Sequence, residues 1–111
     1  MIIEDFQKFI DKQHILFRSL KKRSKRGQEE IFARTIKLGE EYGELCDQVL
    51  ASVGDQRENK LKKNNSNDLS DEFADVIITT FLLAKSMGVD IPSALDHKVQ
   101  KIRKKYNKQL S

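Results

Sequence analysis

The sequence predicts an all-α protein, a four-to-five-helix antiparallel bundle completed by oligomerisation, and three observations carry that expectation. Apolar residues recur at helical spacing nearly end to end, with no strand signal. One proline and five glycines leave few breaks in 111 residues. The hydrophobic fraction is only 38% against 34% charged, which suits helices with solvated outer faces and a core too modest to stand alone. The chain reads as one domain over residues 1–111, without an internal repeat.

A first helix over residues 3–20 places Phe6, Ile10, Phe17 and Leu20 on one side, with Phe9 and Leu16 nearby. The basic run 21–26 and Gly27 close it, because cations suit a helix C-terminus and glycine suits its exit. A second helix over residues 28–53 repeats Ile31, Thr35, Leu38, Tyr42, Leu45, Val49 and Val53. Residues 54–67 are polar and aperiodic, long for a connector in so small a domain. Asp68 caps a third helix that runs to Met87, where Gly88 stops it. Asp90 and Pro92 open a fourth helix that reaches Lys108.

Cys46 is the only cysteine, so no intrachain disulfide forms, and a reduced, cytoplasmic setting is expected. Residues 1–5 lack the basic start and apolar run of a signal peptide. No stretch approaches the ~18 apolar residues of a membrane span. A net charge of +4 favours anionic partners without choosing among them.

The informative residues are acidic. Glu41 and Glu44 sit one turn apart on a face of the second helix, and Glu72 and Asp75 do the same on the third. Two such helices packed antiparallel would converge four carboxylates, an oxygen-rich site for Mg²⁺ or Mn²⁺. A solvated face would mix signs, yet Glu40 with Glu44 and Asp71 with Asp75 are like charges four residues apart. On the third helix Asp68, Glu72, Asp75, Thr79 and Ser86 form a narrow stripe pressed on both flanks by Val76, Leu83, Ile78 and Leu82. Carboxylates in such a stripe are partly buried and call for a proton, a partner or a metal. The register raises one difficulty. Glu44 lies well before the end of its helix, whereas Glu72 is barely one turn into its own.

The segment Lys37-Leu38-Gly39-Glu40-Glu41-Tyr42-Gly43-Glu44-Leu45, followed by Asp71-Glu72-Phe73-Ala74-Asp75-Val76, resembles the signature of the MazG-like all-α nucleoside triphosphate pyrophosphohydrolases. That superfamily includes MazG, the dimeric dUTPases and the dCTP pyrophosphatases. The pattern is E-E-x-x-E, a spacer, then E-x-x-D, and every acidic position matches. The resemblance implies hydrolysis of a nucleoside triphosphate, a deoxynucleotide or a non-canonical one, to monophosphate and pyrophosphate in nucleotide-pool housecleaning. It implies Glu41, Glu44, Glu72 and Asp75 as ligands of Mg²⁺, with Mn²⁺ as a substitute. Glu40, about 100° around the helix from Glu41, would bind a further metal or orient the attacking water as catalytic base. Lys37, Lys98, Lys101 and Arg103 are the candidate phosphate contacts, although Ile102 stands near where relatives carry Asn. His14 and Phe17 on the first helix are the candidate base contacts. A homodimer or homotetramer is expected, with no nucleic-acid and no membrane partner.

Gly39 and Gly43 read as a place where another helix packs closely. The rival from another class is a helical nucleic-acid-binding or adaptor protein using the basic segments, which gives the acidic stripe no task. A di-iron bundle would need two Glu-x-x-His pairs, and only Asp11 with His14 is comparable.

Overall fold

The computed structural model describes residues 3–20, 27–54 and 66–110. Every described element is an α-helix: α1 (Ile3–Leu20), α2 (Gly27–Val53), α3 (Ser66–Ser86) and α4 (Ile91–Leu110). The basic run 21–26 and most of the polar segment 54–67 lie outside the described residues. No described helix is long and apolar enough to cross a membrane.

The core forms where α1 meets α3. Ile10, Phe81 and Leu82 are buried together, with Phe6, Ile78 and Ile91 packed against them. The Phe6 ring meets Phe81 edge-on at 4.7 Å, the favoured arrangement for two quadrupoles. Lys85 of α3 reaches Asp11 of α1 at 2.8 Å. The most extensive packing joins α2 to α3, and that pair carries the acids.

Gly88 takes φ +70° and ends α3. Val89 N–H donates to the Ala84 carbonyl at 2.9 Å and Gly88 N–H to Lys85 at 3.3 Å, the paired bonds that satisfy a helix's last carbonyls. Asp90 then opens α4, accepting from the Ser93 hydroxyl at 3.0 Å. Pro92 falls in the first turn, where its missing N–H costs nothing.

One expectation needs correcting. The third helix begins at Ser66 instead of being capped by Asp68. Ser66, Asn67 and Asp68 all suit a helix start, so the sequence could not single out one. The earlier start gives Glu72 a further half turn ahead of it, which eases the register difficulty. Within the described chain no helix packs at Gly39 or Gly43, because a Cβ on either would meet nothing within 4 Å. The fourth helix stands off the body as well. Ile91 and Pro92 are partly covered, but every residue from Ser93 to Asn107 is exposed. The radius of gyration is accordingly 17.7 Å, against about 13 Å for a compact domain of this size.

Candidate metal centre

The α2–α3 interface is a polar stripe running antiparallel along both helices. On α2 one face presents Glu30, Arg34, Lys37, Glu41 and Glu44, successive turns of the helix. On α3 the facing residues, in the opposite direction, are Ser86, Leu82, Asp75 and Glu72. The step from Glu41 back to Arg34 matches the step from Asp75 forward to Leu82, whose carbonyl accepts from Arg34 Nη1 at 2.9 Å. That shared register brings the acidic motifs together.

Glu41, Glu72 and Asp75 each place a carboxylate oxygen within 4.8 Å of the others. Glu41 is buried, at 7% exposure, and Glu72 and Asp75 are half-buried. Glu41 Oε2 and Glu72 Oε2 are shut away from solvent without a hydrogen-bond partner. An orphaned buried carboxylate oxygen is costly, and a cation could hold the three carboxylates at this spot. The donors are all carboxylates, with no Cys or His among them, so the set fits a hard ion such as Mg²⁺ or Mn²⁺.

Electrostatics point the same way. Burial pushes the Glu72 carboxyl above its ordinary range, and the charges of Glu44, Asp75 and Glu41 add to that. Burial also raises Asp75, with Glu41 and then Asp71 contributing. The only described cation paired with the cluster is Lys37, whose Nζ lies 3.1 Å from Glu41 Oε1 and 3.6 Å from Glu40 Oε2. Those carboxylates, Glu41 first, hold the Lys37 ammonium above its usual range.

The other expected residues are placed as follows. Glu44 is exposed at the rim, outside the close trio but near enough for its charge to act on Glu72. Glu40 is exposed and turned to Lys37. Thr79, in the same stripe, spends its hydroxyl on the Asp75 carbonyl at 2.8 Å. Lys98, Lys101 and Arg103 are exposed on α4, and no described ion pair joins them to the acids. Phe17 is exposed at 37%. His14 is instead tied into a cluster that the sequence reading missed.

That cluster lies two to three turns along α2 from Glu41. Arg34 Nη1 faces His14 Nδ1 at 2.9 Å, the Leu82 carbonyl at 2.9 Å and the Ser86 hydroxyl at 2.6 Å, so its two N–H groups are shared among three acceptors. Because a guanidinium only donates, Nδ1 is an acceptor and the His14 ring is neutral. Burial, then the Arg34 charge, holds its pKa below the usual value. Glu30 sits 3.1 Å from Arg18 Nε and 3.6 Å from Arg34 Nη2. Burial pushes Glu30 up, but hydrogen bonds from Arg18 and Ser86 and the charge of Arg34 outweigh it, leaving Glu30 below its ordinary range. The available signal was local: Glu30 and Arg34 form an i,i+4 pair on the face that carries Glu41.

The sequence profile of the MazG-like family matches residues 32–110. No individual curated protein and no solved structure matches the chain.

Proposed function

The chain belongs to the MazG-like family, and from that premise we propose that it hydrolyses nucleoside triphosphates to monophosphate and pyrophosphate with Mg²⁺. The observation that carries this reading is the convergence of Glu41, Glu72 and Asp75 with two buried, unpartnered oxygens. In this reading those three residues hold the metal and Glu44 joins them from the rim. A bound divalent ion would turn a repulsive acidic pocket into one that accepts phosphate oxygens, and would acidify a coordinated water.

The chain's own residues supply the rest. Glu72 and Asp75, raised by burial and like charge, would have that repulsion offset by a bound cation. In this reading Glu40, exposed and paired with Lys37, takes a proton from the attacking water. Lys37 bridges Glu40 and Glu41, and from that position its ammonium neutralises phosphate charge at the mouth. Lys98, Lys101 and Arg103, exposed on α4, remain the candidate phosphate contacts of the last helix in this reading. The base contacts proposed for His14 and Phe17 need His14 to share its ring with Arg34.

Product analysis tests the reading. Incubation of canonical and modified nucleoside triphosphates with Mg²⁺ should give pyrophosphate and a nucleoside monophosphate, resolved by phosphorus NMR. A nucleoside diphosphate as primary product, or no turnover across the panel, would overturn it.

A further inference from the structure

Apolar packing alone sets only loosely where one helix comes to rest along another. It is non-directional, and on α3 Ile78 stands one turn from Leu82, a swap of aliphatics that costs little. The acidic end opposes the contact outright. Glu41, Glu72 and Asp75 crowd together, and burial, then like charge, raises Glu72 and Asp75. Their meeting nevertheless depends on register, because a slide of one turn, about 5.4 Å, parts Glu41 from Asp75. A directional contact elsewhere in the interface has to hold that register.

Arg34 makes such a contact at the other end. Its side chain is 11% exposed and crosses from α2 to α3, where Nη1 lies 2.9 Å from the Leu82 carbonyl and 2.6 Å from the Ser86 hydroxyl. That hydroxyl donates to the same carbonyl at 3.3 Å. Glu30, 3.6 Å from Nη2, and His14 Nδ1, 2.9 Å from Nη1, steady the guanidinium from its own helix and from α1. A planar fork held this way is directional. Its match on α3 also occurs once. Slid one turn back, it would meet the Ile78 carbonyl and the Leu82 side chain, which has no hydroxyl. Slid one turn forward, it would need a residue at position 90, past the end of α3 at Ser86.

We propose that Arg34 is a positioning residue for the acidic trio: its grip on the Leu82 carbonyl and Ser86 sets the α2–α3 register that brings Glu41 to Glu72 and Asp75 before any cation is present. The step from Arg34 to Glu41 equals the step from Asp75 to Leu82, about 10 Å of helix on each side. Fixing one end of two antiparallel helices therefore fixes the other. The consequence for metal binding rests on the function proposed above. The register itself does not.

Two readouts on the full-length chain test this. With Cys46→Ser as background, Ala33→Cys on α2 and Ala74→Cys on α3, both exposed, carry nitroxide labels. Pulsed electron spin resonance in chelator, with unlabelled chain in excess, reads the distance between the helices. Arg34 intact should give one narrow distance. Arg34→Met should displace or broaden it by up to one helical turn, about 5 Å, and Ser86→Ala should do so less. Titration calorimetry with Mn²⁺ alone should show Arg34→Met binding about tenfold more weakly, as when a residue supporting a metal ligand is lost, with Arg34→Lys between it and wild type. Saturating metal should restore the narrow distance. Ile10→Val, which loosens the α1–α3 core, controls for lost stability and should move neither readout. An unchanged distance in Arg34→Met, or the same change in Ile10→Val, would overturn the proposal. So would a displaced distance with unweakened Mn²⁺ binding. Wild type that binds no Mn²⁺ would sink the metal reading instead, while the distances still decide whether Arg34 sets the register.

Discussion

The two ends of the α2–α3 stripe use similar side chains to opposite effect. About 16 Å of helix separates Glu30 from Glu41. At the Glu30 end the carboxylate has Arg18 and Arg34 within 3.6 Å and is held below its ordinary pKa. At the Glu41 end three carboxylates crowd together, two oxygens have no partner, and Glu72 and Asp75 are raised. The first end has its charges paired, although Glu30 Oε2 and Arg34 Nη2 are also buried there without a hydrogen bond. The second is short of positive charge, with one exposed lysine against several acids. Buried acids therefore point to a metal only where their compensation is missing, and the contrast within one interface separates an acid that ties helices together from one that waits for a ligand.

Substitution at each end should break the comparison differently. Glu41→Gln or Asp75→Asn should lower turnover by more than about 100-fold, beyond the roughly 10–100-fold cost of losing a residue that merely supports a metal ligand. Steady-state kinetics with excess Mg²⁺ checks this, and near wild-type rates in both variants would remove the acids from the site. Arg34→Met should act on the fold instead. It leaves Glu30 with Arg18 alone and frees His14, the Leu82 carbonyl and Ser86, and losing hydrogen bonds from one charged group costs about 2 kcal/mol, readable by urea denaturation in chelator.

Acidity sharpens the same contrast. Glu72 and Asp75 have raised pKa values, so their stabilising contribution in the metal-free protein is full below the ordinary carboxylate range and is lost as pH rises through the raised values. Glu30 and His14 are lowered, so theirs is present above their ordinary values and is lost as pH falls through the lowered ones. Glu72→Gln with Asp75→Asn should therefore exceed wild type in Tm most at pH 7 in chelator. The gap should close toward about pH 4, where unperturbed carboxyls take up protons. A gap that widens on acidification would reverse the assignment. The smallest effect is expected at exposed Lys37. Lys37→Gln should raise KM about fivefold, a small effect because one exposed charge contact is screened by solvent.

Local spacing made much of this legible. Glu41 with Glu44 and Glu72 with Asp75 share helix faces by their three-residue step alone, and Gly88 stops α3 as its sequence position suggests. What spacing could not supply was register. The exposure of Glu44 depends on where α3 begins, among three residues of similar capping strength. Arg34 was missed because its partners, His14 and the Leu82 carbonyl, are distant in sequence and one is backbone.

The central claim is that the acidic end is built for a divalent cation, and thermal melts of wild type and Glu72→Gln, each with chelator and with excess Mg²⁺, test it most directly. A metal bound only by the folded state stabilises it by about 2.7 kcal/mol at one hundred times Kd. Wild type should melt higher with Mg²⁺. Glu72→Gln should melt above wild type in chelator, relieved of like-charge crowding, and should not respond to the metal. Wild type melting alike in both conditions, with the variant simply less stable, would contradict the account.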